Sequence, residues 1–107
     1  MAHFDGQGGD LYMFQSERYL TQGVNAEIPI VLQLVMWKMI SDIPAEKDYL
    51  QVFRLSGKNG IQTIIHEQEQ PAYRKIVSFQ WPEAIITHKV FDIDDGDHCT
   101  MLLAEEY

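Results

Sequence analysis

The chain has 107 residues, 46% of them hydrophobic, which suits one compact core and leaves no room for a second. Sixteen Asp and Glu against eight Lys and Arg give a formal charge of −8, which repels a phosphate backbone, so direct nucleic-acid binding is not expected. No apolar run approaches the roughly eighteen residues of a membrane span, no export-type leader opens the chain, and the single Cys99 cannot close an internal disulfide, so a soluble cytoplasmic protein is expected.

Residues 1–12 carry Gly6, Gly8 and Gly9 among Asp5, Gln7 and Asp10, a composition that disfavours regular structure. They are expected to form a flexible tail ahead of a single domain over residues 13–107. Gly8-Gly9 has no strand before it and no helix close behind, so it is not read as a phosphate loop. Met13 reads as a natural start, with residues 1–12 an alternative start or a foreign remnant, and the run that follows to Thr21 as a short strand.

Residues 29–42 carry the one strong helix signal, with Pro29 in a first turn where amide hydrogens lack partners anyway and Asn25 as an upstream cap. At about 100° per residue, Val31, Leu32, Val35, Met36, Met39 and Ile43 share a broad face that should lie on a sheet. Ile30, Leu34 and Trp37 form a second apolar stripe on the opposite side, leaving only Gln33, Lys38, Ser41 and Asp42 polar. A helix apolar nearly all round needs cover on both sides, and so short a chain has little to spare. A protein partner or a second copy is therefore expected over Ile30, Leu34 and Trp37.

From Asp48 onward the pattern becomes strands rich in Val, Ile, Phe, Tyr and Thr over residues 48–56, 61–67, 73–79, 85–94 and 98–105. Gly57-Lys58-Asn59-Gly60 and Asp95-Gly96 supply the positive φ of tight hairpins, and Trp81-Pro82 ends the third of these strands. Tight turns make consecutive strands antiparallel. The expected fold class is α+β, a mainly antiparallel sheet of five to six strands with one principal helix packed on one face.

Candidate chemistry is sparse. Asp92, Asp94, Asp95 and Asp97 suggest a calcium loop, but with Gly96 in the sixth place the first falls on Phe91 and the twelfth on Leu102, where a bidentate glutamate is needed. A two-residue loop at Asp95-Gly96 would pair Asp94 with Asp97 and Asp92 with Cys99, putting His98 and Cys99 on opposite faces and arguing against zinc. Cys99 beside Asp92 makes a poor nucleophile, since the carboxylate disfavours a thiolate. No metal, cofactor or catalytic residue is assigned. From Asp92 to the end, Asp92, Asp94, Asp95, Asp97, Glu105 and Glu106 meet no Lys or Arg, an acidic surface suited to a basic protein.

Four segments, Asp48-Tyr49-Leu50-Gln51-Val52-Phe53, His66-Glu67-Gln68-Glu69-Gln70-Pro71-Ala72-Tyr73, Phe91-Asp92-Ile93-Asp94-Asp95-Gly96-Asp97 and the closing Thr100-Met101-Leu102-Leu103-Ala104-Glu105-Glu106-Tyr107, carry a family likeness. Together with Arg18-Tyr19-Leu20-Thr21-Gln22-Gly23-Val24-Asn25 and Ile28-Pro29, they make the chain from Met13 onward resemble the domain-of-unknown-function family number 960 of Gram-positive bacteria and their phages. The resemblance implies a phage or mobile-element setting and assigns no chemistry. The leading expectation is a small acidic, non-enzymatic interaction or accessory protein, a homodimer or partner-binding module. The alternative is a small hydrolase or metal-dependent enzyme with His66 and Glu67 or Glu69 at one rim.

Overall fold

A computed structural model describes residues 13–107; the expected tail, residues 1–12, lies outside the described residues. The order is β1 (Glu17–Leu20), α1 (Gln22–Glu27), α2 (Ile30–Ser41), β2 (Leu50–Lys58), β3 (Ile61–Gln68), β4 (Tyr73–Gln80), β5 (His88–Asp94), β6 (His98–Leu103) and a 3₁₀ turn over Ala104–Glu106. The strands form one sheet in the order β1-β6-β5-β2-β3-β4, with the main helix on one face, the expected α+β arrangement. Four of its five pairings are antiparallel. The fifth joins β1 parallel to β6, as two strands from opposite ends of the chain can do without a tight turn between them.

Local chemistry fixes most boundaries. Helix α2 starts after Pro29 and stops at Asp42, as the sequence predicts. Helix α1 was hidden by its brevity: Asn25 is not a cap but lies inside it, and Thr21 is the cap, its hydroxyl accepting from the Val24 amide at 3.3 Å. The Thr21 hydroxyl also donates to Glu106 Oε1 at 2.5 Å, and Glu106 accepts from the amides of Gly23 and Leu103. A Cβ at Gly23 would sit 2.5 Å from that carboxylate, so glycine lets the C-terminal turn close on α1. Thr21→Ala is expected to cost about 1 kcal/mol, read as a lower urea midpoint with unchanged slope.

The β2–β3 hairpin turns on Asn59 and Gly60, both at positive φ (54° and 75°), as an Asn-Gly two-residue turn requires. The β5–β6 hairpin differs from expectation. Asp94 faces Cys99 rather than Asp97, so the loop holds four residues. Asp95 explains the longer loop, because its Oδ1 accepts from the amides of both Asp97 and His98 and stabilises a wider turn. The shift is by two residues, so every side chain keeps its expected face.

Leu32, Met36, Ile40 and Trp37 of α2 join Phe53, Leu55, Ile64, Val90, Met101 and Leu103 in one core between helix and sheet. The opposite sheet face carries Leu50, Val52, Arg54, Glu67, Phe91 and Ile93 and has no α-helix over it among the described residues. No described helix is long and apolar enough to cross a membrane.

Candidate functional site: an apolar groove beside a sheet edge

The buried face of α2 is Leu32, Gln33, Met36, Trp37, Met39 and Ile40, turned from the expected one. Gln33 goes inward because its side-chain amide donates to the Ile28 carbonyl at 2.8 Å, tying α2 to the end of α1. Trp37, expected on the outer stripe, is only 6% exposed, and the Arg18 guanidinium lies 4.6 Å from its ring centroid. Burying the largest ring under a β1 cation leaves smaller residues outside. Ile30 (62%), Val31 (50%) and Leu34 (58%) are the exposed apolar residues of α2. Of the expected stripe Ile30 and Leu34 are exposed and Trp37 is not, while Val31, expected on the core face, is exposed beside them.

Beside this stripe runs a groove of about 500 Å³, walled by Val31, Leu34, Val35 and Met39 on α2 and by Val77 and Phe79 on β4. Lys38, Asp42 and Lys75 complete its lining; Lys38 and Asp42 form an ion pair at 2.6 Å. That pair holds the Asp42 carboxyl below the usual range. Strand β4 is a sheet edge and pairs only with β3 among the described residues. Residues 73, 75, 77 and 79 face the helix, while Ile76, half exposed, faces the uncovered side.

The acidic surface is smaller than expected. Asp92 is fully buried and Asp94 nearly so, both on the helix face of β5, where strand alternation puts every second residue inward. Asp94 is used structurally, accepting from the amides of Phe14 at 2.6 Å and Gly96 at 2.8 Å. Glu106 is engaged in the C-terminal staple, and its three donors hold its carboxyl below the usual range. Asp95, Asp97, Glu105 and Glu106 remain as exposed acids. Asp92 is unlike the rest, because neither carboxylate oxygen has a hydrogen-bond partner among the described residues. Burial pushes its carboxyl up to about 8 against the pull of Arg18, and Asp94 adds to the rise.

A directional polar network lies across the buried sheet face. Gln68 anchors it by donating to the carbonyls of Glu46 and Pro71, both at 2.9 Å. Its Oε1 accepts from the Asp48 amide and from Gln51 Nε2, and Gln51 Oε1 pairs with His66 Nε2 at 2.6 Å. Because Gln51 Oε1 can only accept, His66 carries its proton on Nε2, leaving Nδ1 without a partner among the described residues. The ring stacks on Phe53 at 4.4 Å, and burial holds its pKa down to about 4. The network is therefore neutral at physiological pH and ties the 44–49 loop to the sheet.

These positions set His66, which is fully buried, apart from the surface cavity that both Glu67 and Glu69 of the hydrolytic alternative line. His66 points under α2, whereas Glu67 points to the uncovered face, where it bridges Arg54 at 3.2 Å and Arg74 at 3.4 Å. Burial likewise pushes the Cys99 thiol up, the opposite of what a nucleophile needs. Among the described residues no cluster of three or more His, Cys, Asp or Glu is arranged to hold a metal ion.

Residues 17–106 match the family model described as staphylococcal protein of unknown function, DUF960. A crystal structure of a protein of unknown function from Enterococcus faecalis superimposes with a TM-score of 0.74 at 26% identity, covering 87% of this chain and 92% of that one. No curated protein matches.

Proposed function

This chain belongs to the DUF960 family, and from that premise we propose that it acts as a non-enzymatic protein-interaction module through the α2–β4 face. The observation that carries the reading is the exposed stripe of Ile30, Val31 and Leu34 beside a groove that continues onto Val77 and Phe79. Water-exposed aliphatic side chains grouped this way favour burial against another surface, at about 25 cal/mol per Å² covered. The exposed acids Asp95, Asp97, Glu105 and Glu106 set the sign of the remaining surface and steer basic partners rather than bind them tightly. The setting we assign is the cytoplasm, where a buried unpaired Cys99 stays reduced; a phage or mobile-element context is the implication of the family likeness.

The test is a photo-cross-linkable amino acid placed at Leu34 in the source cell, with the same residue at Lys58 on the β2–β3 hairpin as control. The expected result is a discrete cross-linked protein adduct at 34 and none at 58. No adduct at 34, or the same adducts at both positions, overturns the reading.

A further inference from the structure

Resting on that reading, we propose that the occupant of the α2–β4 face is a second copy of this chain, joined by antiparallel pairing of the two β4 edges with both α2 helices on the same side of a continuous sheet. The two sheet edges differ in what they offer. Strand β1 has four residues, all exposed, whereas β4 has eight and carries Ile76, Val77 and Phe79. A long edge with apolar side chains and unpaired backbone groups is a template for another strand. Here it lies directly below the exposed helix stripe, because Val77 and Phe79 wall the same groove as Val31 and Leu34. An isolated peptide strand would satisfy the edge and leave the helix stripe wet. A second copy brings a strand and a helix together, and a twofold axis perpendicular to the sheet presents both at once.

Charge selects the same face. Two molecules of net charge −8 repel one another across most of their surfaces. On this face Lys38 is neutralised by Asp42, Arg74 by Glu67 on the far side, and Lys75 has no ion pair within 4.0 Å among the described residues. The face is thus close to neutral on a strongly acidic molecule. Antiparallel partners share a side of the sheet, so keeping both helices on one side centres the pairing on Ile76 or on Val77. In the first case Lys75 faces the partner's Val77 and Arg74 the partner's Ser78; in the second they face the partner's Phe79 and the partner's Gln80. No cation stands directly opposite a cation in either register, and Lys75 lays its alkyl stem on an apolar neighbour.

The experiment uses the purified full chain. Light scattering at about 100 μM, which populates even micromolar interfaces, should give twice the 12.4 kDa of one chain. Leu34→Glu and Ile76→Lys should each return it to one chain while circular dichroism stays unchanged. Independently, single substitutions Lys75→Cys, Ile76→Cys, Val77→Cys and Ser78→Cys are oxidised in turn. Directly opposed Cα atoms about 4.5–5.5 Å apart suit a disulfide, so cross-linking should peak at 76 or 77 and fall on either side. A mass of one chain, or cross-linking that is absent or flat along β4, overturns the dimer. If Leu34 still yields an adduct with a different protein in the cell, only the choice of occupant fails. If it yields none, the interaction reading fails with it.

Discussion

Asp92→Asn is expected to stabilise the protein by an amount that grows with pH, from near zero below pH 4 to several kcal/mol at pH 8. The native carboxyl is held at about 8 and the unfolded one near 3.8, so between these values the native state binds a proton that the unfolded state has released. Stability therefore falls as pH rises through this window, by about 1.4 kcal/mol per pH unit and on the order of 5 kcal/mol in full. Asparagine has nearly the same shape and no charge to desolvate, so it removes the slope. His66 has the opposite sign. Its imidazole sits near 4 when folded and near 6.5 when unfolded, so its contribution is present above 6.5 and lost as pH falls towards 4, by about 3 kcal/mol. Between about pH 4 and 6.5 the two slopes cancel, since the native state holds its proton on Asp92 and the unfolded state on His66. Thermal melts from pH 3 to 9 should give a plateau in that interval, an alkaline limb above it that vanishes in Asp92→Asn, and below it an acid limb from the lowered carboxyls of Asp42, Asp95 and Glu106. A wild type whose stability is flat from pH 6.5 to 8 would falsify the neutral, unpartnered carboxyl.

Gln51→Leu is expected to cost about 3 kcal/mol, the scale of a buried donor left unsatisfied together with lost hydrogen bonds. Gln51 is fully buried; without it the His66 Nε2 proton has no acceptor, and the Asp48 carbonyl and Gln68 Oε1 each lose a donor. His66→Leu alone strands Gln51 Oε1 in the same way. The double variant should be less destabilised than the sum of the two singles, because removing both partners leaves no orphaned group in the pair. Urea unfolding of all four proteins measures the coupling; strict additivity would show that the 2.6 Å contact contributes nothing to stability.

The contrast between the two halves of the chain shows which signals a single sequence carries. Strands β2 to β6 were legible because alternation and turn residues are local, and Asn59-Gly60 fixes its hairpin with two backbone conformations. The β5–β6 loop length was misjudged because Asp95 forms its own turn with residues two and three places on. Helix α1 is too short for periodicity to register, and only its Thr21 cap could have announced it. The parallel β1–β6 pairing joins residues about eighty positions apart, and nothing local specifies it.

The amino-acid order by itself determined that α2 exists, where it starts and stops, and that it has more apolar surface than one sheet can cover. Its rotation was decided only in three dimensions. With hydrophobic residues on every side, burial energy hardly distinguishes one facing from another, and the choice fell to distant partners: Arg18 over Trp37 and the Ile28 carbonyl for Gln33. The same holds for the acids. Charge counting placed six carboxylates near the C-terminus, but the strand pleat turned Asp92 and Asp94 to the buried face of the sheet, where desolvation outweighs neighbouring charge in setting the Asp92 carboxyl.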